Sequence, residues 1–186
     1  MKRMLIVCAI FLLSITNVFA QTSISTFVRF PDNKLAGRSY KPMLAFARVD
    51  DVTYLTLKMI HPYNYNSFDS ESRILIRFKD ETVIKLPIHY EFGVFKNFDS
   101  SWNSSLNRFS DFYITDTLYD IPMGDITKLT SCKIIKIRVV QTNGDIDDYS
   151  IGEIYQNKLL IGLKESYQEL MYLDRQRKVN NMDETF

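Results

Sequence analysis

The stretch from Cys132 to Ile151 constrains the fold more than any other part of this sequence. Apolar and polar residues alternate on both sides of Asn143-Gly144, the pattern of two strands with one buried face each. A two-residue turn at Asn143-Gly144 would set Val139 opposite Asp148 and Ile137 opposite Ser150. That brings the apolar face of one strand onto the polar face of the other. A slip of one residue flips every side chain, so burial opposes this register. A three-residue loop, Thr142-Asn143-Gly144, sets Ile135 opposite Ile151, Ile137 opposite Tyr149 and Val139 opposite Asp147. On the other face it sets Arg138 opposite Asp148 and Val140 opposite Ile146. Four of these five are compatible cross-strand pairs. Such a loop needs a left-handed residue, and Gly144 supplies it.

The same segment, QTNGDIDDY (Gln141 to Tyr149), has the alternating oxygen ligands that open a calcium loop. The match fails further along. Counting from Asn143, the sixth position is Asp148 where glycine is required, and the twelfth is Ile154 where glutamate is required. Asp147 and Asp148 are strand neighbours and point to opposite faces. The reading is a hairpin with no metal site, whose acids keep a sheet end soluble.

Period-two patterns recur at Ser25–Phe30, Met43–Val49, Val52–Ile60, Arg73–Phe78, Thr82–Leu86, Tyr90–Phe95 and Phe109–Ile114. Asp50-Asp51 and Lys79-Asp80-Glu81 read as turns between neighbours. Asn97 to Ser105, rich in serine and asparagine, reads as a loop, and Thr115 to Tyr119 has no clear pattern. Pro122 to Leu129 fits a short helical turn. Leu159, Leu160, Leu163, Tyr167, Leu170 and Met171 recur at steps that place them on one helical stripe. The helix is predicted over Lys158 to Arg175. The fold class is therefore mainly β: an antiparallel β-sandwich, or a curved sheet, with a C-terminal amphipathic helix. One domain spans residues 21–176, and 177–186 is predicted to be a frayed tail.

Residues 1–20 read as a cleaved signal peptide. Lys2 and Arg3 precede an apolar run from Met4 to Leu13, and Val18-Phe19-Ala20 suits a signal peptidase. The run is about half the length of a membrane-spanning helix, so no transmembrane anchor is expected after cleavage. Cys8 lies too early for lipidation. Localisation is read as secreted or periplasmic. Removing residues 1–20 leaves 21 basic and 22 acidic side chains. That balance argues against a nucleic-acid partner, which wants a basic face. Cys132 is then the sole cysteine, read as a buried, inert thiol opening an apolar run.

Chemistry-bearing motifs are sparse. His61 and His89 are the two histidines, and neither has metal-ligand spacing. No Gly-x-Ser-x-Gly elbow and no phosphate-cradling glycine loop occurs, so no catalytic residue, metal or cofactor is assigned. Acidic pairs at Asp50-Asp51, Asp69 with Glu71, and Asp80-Glu81 all fall in predicted turns. The sharpest compositional feature is aromatic. Tyr90, Phe92, Phe95, Phe98, Trp102, Phe109, Phe112, Tyr113 and Tyr119 crowd one segment. Trp102, Phe98 and Tyr90 are the candidate ligand-binding residues, because exposed loop aromatics can stack on sugar rings or anchor a protein. The alternative is that these aromatics plug the core. Asn103-Ser104-Ser105 has the form of a glycosylation sequon.

ILIRFKDETVIKL (Ile74 to Leu86), FYIT (Phe112 to Thr115) and KIIKIRVVQTNGDIDDYSI (Lys133 to Ile151), followed by a terminal helix, resemble small secreted β-rich proteins of unknown function from Bacteroidetes-type bacteria. The resemblance implies a periplasmic or secreted protein and transfers no site residues. The functional expectation is an exported, non-enzymatic binding or interaction module with a protein or glycan partner. The alternatives are a carbohydrate-binding or polysaccharide-utilisation accessory domain using loop aromatics, and a hydrolase with a non-local site.

Overall fold

Alternation along each strand dictates two sheets that share one apolar layer. A computed structural model describes residues 23–30, 42–61, 65–89, 94–103 and 108–183, with backbone alone at 101–103, 108–110, 112, 143 and 180–183. The predicted signal segment, 1–20, lies outside the described residues. The elements are β1 (Ser23–Ile24), β2 (Val28–Arg29), β3 (Met43–Val49), β4 (Val52–His61), β5 (Arg73–Phe78), β6 (Val83–Pro87), β7 (Val94–Asn103), β8 (Arg108–Asp120), α1 (Met123–Ser131), β9 (Ile134–Val140), β10 (Ile146–Ser150) and α2 (Glu153–Asp183). A six-stranded sheet runs β1-β3-β4-β8-β7, with β2 also on β3. A four-stranded sheet runs β10-β9-β5-β6. All described pairings are antiparallel.

Leu44, Phe46, Leu55, Leu57 and Met59 from the first sheet are fully buried, as are Ile74, Ile76, Phe78, Leu86, Ile137 and Val139 from the second. Leu159, Leu163 and Leu170 of α2 and Ile126 and Leu129 of α1 join the same core. After Pro87 the chain leaves the second sheet and touches the first. Ile88 bridges Tyr119, and the His89 backbone N–H donates to the Leu118 carbonyl at 2.8 Å.

The hairpin that opens the sequence reading has the predicted register: Val139 opposite Asp147, Arg138 opposite Asp148, Ile137 opposite Tyr149. Thr142–Gly144 forms a single 3-10 turn with Gly144 at φ 76°. Arg138 clamps Asp148 with two bonds, Nε to Oδ1 at 2.7 Å and a terminal nitrogen to Oδ2 at 2.8 Å. One expectation here is corrected. Asp147 is buried, not a solubilising acid. It accepts from Gln141 Nε2 at 2.6 Å, and Gln141 Oε1 accepts from Asn66 Nδ2 at 3.1 Å. A buried carboxylate must have such donors.

The Asp50-Asp51 turn has both residues at positive φ, 46° and 66°, the left-handed pair a two-residue hairpin demands. Other boundaries differ from expectation. The predicted first strand, Ser25–Phe30, keeps only Val28–Arg29, and a second dipeptide strand, Ser23–Ile24, precedes it; at Ser25 the side chain joins the bonding to β3. Its hydroxyl donates to the Phe46 carbonyl and accepts from the Phe46 N–H and from Ser166 Oγ at 2.7 Å. Phe109–Ile114 falls in the first half of one 13-residue strand, β8, which also takes in Thr115–Tyr119.

The C-terminal helix is longer at both ends than Lys158–Arg175, and it covers the positions predicted as tail up to Asp183. The added turns are held by ion pairs. Buried Asp174 lies 3.3 Å from Arg48, 2.8 Å from Arg177 and 3.4 Å from Lys178. Arg177 and Lys178 also reach Asp51 in the β3–β4 turn. The buried stripe of α2 therefore includes Gln156, Ser166 and Asp174 as well as leucines.

Candidate functional site

The predicted loop at Asn97–Ser105 is instead strand over its described part, as far as Asn103, and 104–105 lie outside the described residues. β7 runs unbroken from Val94 to Asn103, paired to β8 throughout. Serine and asparagine disfavour strands, but cross-strand pairing with an aromatic-rich neighbour outweighs that local preference. Among the described residues β4 pairs with β8 as far as His61 opposite Tyr113. Beyond that point β7 and β8 pair with each other, from Asp99 opposite Phe112 to Asn103 opposite Arg108. The result is a two-stranded ribbon extending past the third strand.

The root of this ribbon carries a ring cluster. Phe98 stands opposite Tyr113 in the ladder. Their ring centroids are 5.4 Å apart at 67°, an edge-on contact. Tyr65, from the segment leading to β5, meets Tyr113 at 5.1 Å and 87°. Lys96 Nζ lies 5.7 Å from the Tyr65 ring centre, within cation–π range. Phe98 is 49% exposed, so its ring is open to a partner rather than spent on the core. One step along the ribbon, Ser100 Oγ donates to Asp111 Oδ1 at 2.9 Å. Rings beside a hydroxyl–carboxylate pair make a surface that is apolar in the middle and hydrogen-bonding at the margin.

Of the three candidate residues, Phe98 is in this cluster. Trp102 lies further along the same strand, its backbone paired with Phe109. Tyr90 is outside the described residues. Tyr113 belongs to the crowded aromatic segment without being one of the three candidates, and Tyr65 and Lys96 are in neither group. Tyr113 carried a usable signal, since it sits in an alternating aromatic run, but its partner Tyr65 is 48 residues away and is joined only by folding. Tyr119, named with the aromatics, is wholly buried in the core, where loss of solvent pushes its hydroxyl pKa up.

Below the cluster the inner side of β8 is polar. Thr115 and Thr117 are fully buried, and Thr117 Oγ1 donates to the Leu57 carbonyl at 3.2 Å. On the opposite side Asp116 is half-buried, which raises its pKa, with Lys58 at 3.6 Å opposing that rise. The Lys58 ammonium in turn sits 4.3 Å from the centre of the Phe27 ring.

The histidines lie apart. His61 is opposite Tyr113, while His89 is beside Leu118, five residues or about 17 Å along β8. His89 Nδ1 is 2.8 Å from Asp120 Oδ1, and the ring packs edge-on to Tyr54 at 5.0 Å. The acidic pairs do turn work. Asp69 Oδ1 accepts from Ser72 Oγ and from the Glu71 N–H. Asp80 Oδ1 accepts from Thr82, whose bonds hold the Asp80 carboxyl below the usual range. Cys132 is half-buried against the core. Among the described residues no three His, Cys, Asp or Glu side chains gather as metal ligands, and no helix is long and apolar enough to cross a membrane.

Comparison with protein-family models, curated proteins and solved structures finds no match to this chain.

Proposed function

We propose that this chain is an exported, non-enzymatic binding module that engages its partner through the β7–β8 ribbon. The observation that carries the reading is the half-exposed Phe98 ring, held edge-on by Tyr113, whose own ring is braced by Tyr65 at the ribbon's root. A ring held against a braced neighbour loses little freedom on binding, and such anchors dominate recognition surfaces. The export signal read from residues 1–20 sets the compartment of this proposal.

A glycan ligand is favoured over a protein one by the Ser100–Asp111 pair beside the rings. Sugars present C–H faces to aromatics and hydroxyls to such margins. The hydrolase alternative would use His61 or His89, and His89 is the one paired with Asp120 at 2.8 Å. His89 Nε2 is buried, and neither the cleft beside α2 nor the depression over Leu75 is lined by a histidine, so that reading has less support.

The test is a glycan array probed with the processed chain, followed by titration of any hit. Phe98→Ala is expected to weaken binding by about tenfold, the scale of one truncated aromatic anchor, with an unchanged melting temperature. A blank array, or a hit whose affinity ignores Phe98→Ala and Tyr113→Ala, removes the glycan reading. Turnover in a broad hydrolase screen, abolished by His89→Ala, removes the non-enzymatic one.

A further inference from the structure

The outward face of the four-stranded sheet has an arrangement that does not follow from strand alternation alone. Leu75 sits at its centre. Across the ladders Leu75 is opposite Arg138 on one side and Lys85 on the other. Arg73 and Arg77 lie two residues before and after it on β5, and Lys136 stands opposite Arg77. Five cations therefore encircle one leucine at spacings of about 5 to 8 Å. Two carboxylates face them. Asp148 holds Arg138 and Lys136, at 2.7 and 2.9 Å, and Glu81 pairs with Arg77. Arg73 donates to the Glu71 carbonyl at 3.0 Å. Among the described residues these five cations and two carboxylates leave an excess of three positive charges, although the processed chain as a whole is near neutral.

Leu75, Arg77, Val83, Lys136 and Arg138 line a shallow depression of about 180 Å³ over this centre. Its floor is aliphatic and its rim cationic. Arg77, Lys136 and Arg138 remain 49%, 36% and 42% exposed, so the donors not engaged by Asp148 and Glu81 are open to solvent while those carboxylates fix the side chains' positions.

We infer that this depression binds a small soluble anion with an apolar body, the body on Leu75 and Val83 and a carboxylate, sulfate or phosphate group against Arg77, Lys136 and Arg138. Charge complementarity gives the sign of the ligand, and guanidinium forks suit those oxyanions. The area gives its size. The face spans about 14 Å across its strands and about 14 Å along them. That is roughly a quarter of the ~800 Å² each partner contributes to a stable protein interface. No aromatic side chain lies among the lining residues, so stacking of sugars or bases has no platform here. The site is on a different sheet from the β7–β8 ribbon, so the two proposals stand or fall separately.

The probe is 1-anilinonaphthalene-8-sulfonate, followed by NMR of methyl-labelled full-length processed protein. The Leu75 and Val83 methyl signals are expected to shift saturably. The affinity should fall as salt rises and should drop about tenfold in Lys85→Glu/Lys136→Glu. The uncharged N-phenyl-1-naphthylamine should leave those signals in place. Equal shifts with the uncharged compound, or no shift at Leu75 and Val83 at millimolar probe, overturn the inference. Shifts with phosphatidylglycerol vesicles but not with the soluble sulfonate overturn it in favour of a bilayer-facing surface. The double variant's amide spectrum, if native, separates lost binding from lost folding. If it is not native, Lys136→Gln alone carries the same comparison with a smaller, roughly threefold, drop.

Discussion

Replacing Gly162 by alanine is expected to destabilise the protein, although alanine is the better helix former. Gly162 lies inside α2, where Gly→Ala ordinarily gains about 1 kcal/mol. A Cβ at this position would stand 2.6 Å from Val28 Cγ1 and 3.2 Å from Cγ2, against an optimum of about 3.5–4.0 Å between carbons. Val28 has little room to yield. Its β-branched side chain is stiff about χ1, and its backbone is registered against Leu44. Overpacking of this kind costs about 1–3 kcal/mol, so the net loss is about 0–2 kcal/mol. The Val28→Ala background removes both offending methyls, and there Gly162→Ala should recover its ordinary gain. A double-mutant cycle by urea denaturation, with unchanged m-values, should give a coupling of about 1–3 kcal/mol. Stabilisation by Gly162→Ala with Val28 intact would refute the close approach of β2 to α2.

Three further outcomes are expected. Gly144→Val should cost about 1–2 kcal/mol, because its φ of 76° is unfavourable for a side chain while nothing lies within 4 Å of the added Cβ. Equal denaturation midpoints would count against the bulged turn. Asp174→Ala should cost about 3 kcal/mol by removing the buried carboxylate from largely buried Arg48 and Arg177, whose remaining carboxylate partner, Asp51, is exposed, and amide exchange should quicken in the last turns of α2. Unchanged exchange there would contradict the anchoring role.

The Asp148 carboxyl is held at about 2, chiefly by its bonds from Arg138. A depressed folded pKa adds stability above the unfolded value, near 4, and that stability is lost as pH falls from about 4 through about 2. Solvent screening at this partly exposed group keeps the effect at about 1 kcal/mol or less. Asp148→Asn should therefore flatten the stability–pH curve in that window and nowhere above it. An unchanged slope between pH 4 and 2 would dismiss the clamp.

Strand patterns and turns were legible because both are local. Ile74, Ile76 and Phe78 alternate with Arg73, Leu75 and Arg77 in sequence and on the sheet alike. The bulged hairpin was legible to the residue because a buried face leaves one register. The strand at Asn97–Asn103 was not, since its residues prefer loops and the partner strand supplies what they lack. The ends of α2 were missed for a related reason. Its later turns are polar, and a stripe search rewards only leucines. The ring cluster was half legible: Phe98 by composition, Tyr65 and Lys96 not at all.

The sequence by itself determined a β-rich chain, the position of most turns, one exact hairpin pairing and an amphipathic terminal helix. These rest on side-chain periodicity and on backbone angles that a few residue types permit. Only the tertiary structure decided which polar groups are buried and with whom. Ser25 meets Ser166 across 141 residues, Asp174 meets Arg48, and five cations converge on Leu75. No periodicity encodes such meetings, because their energies arise when solvent is excluded from groups that are strangers along the chain.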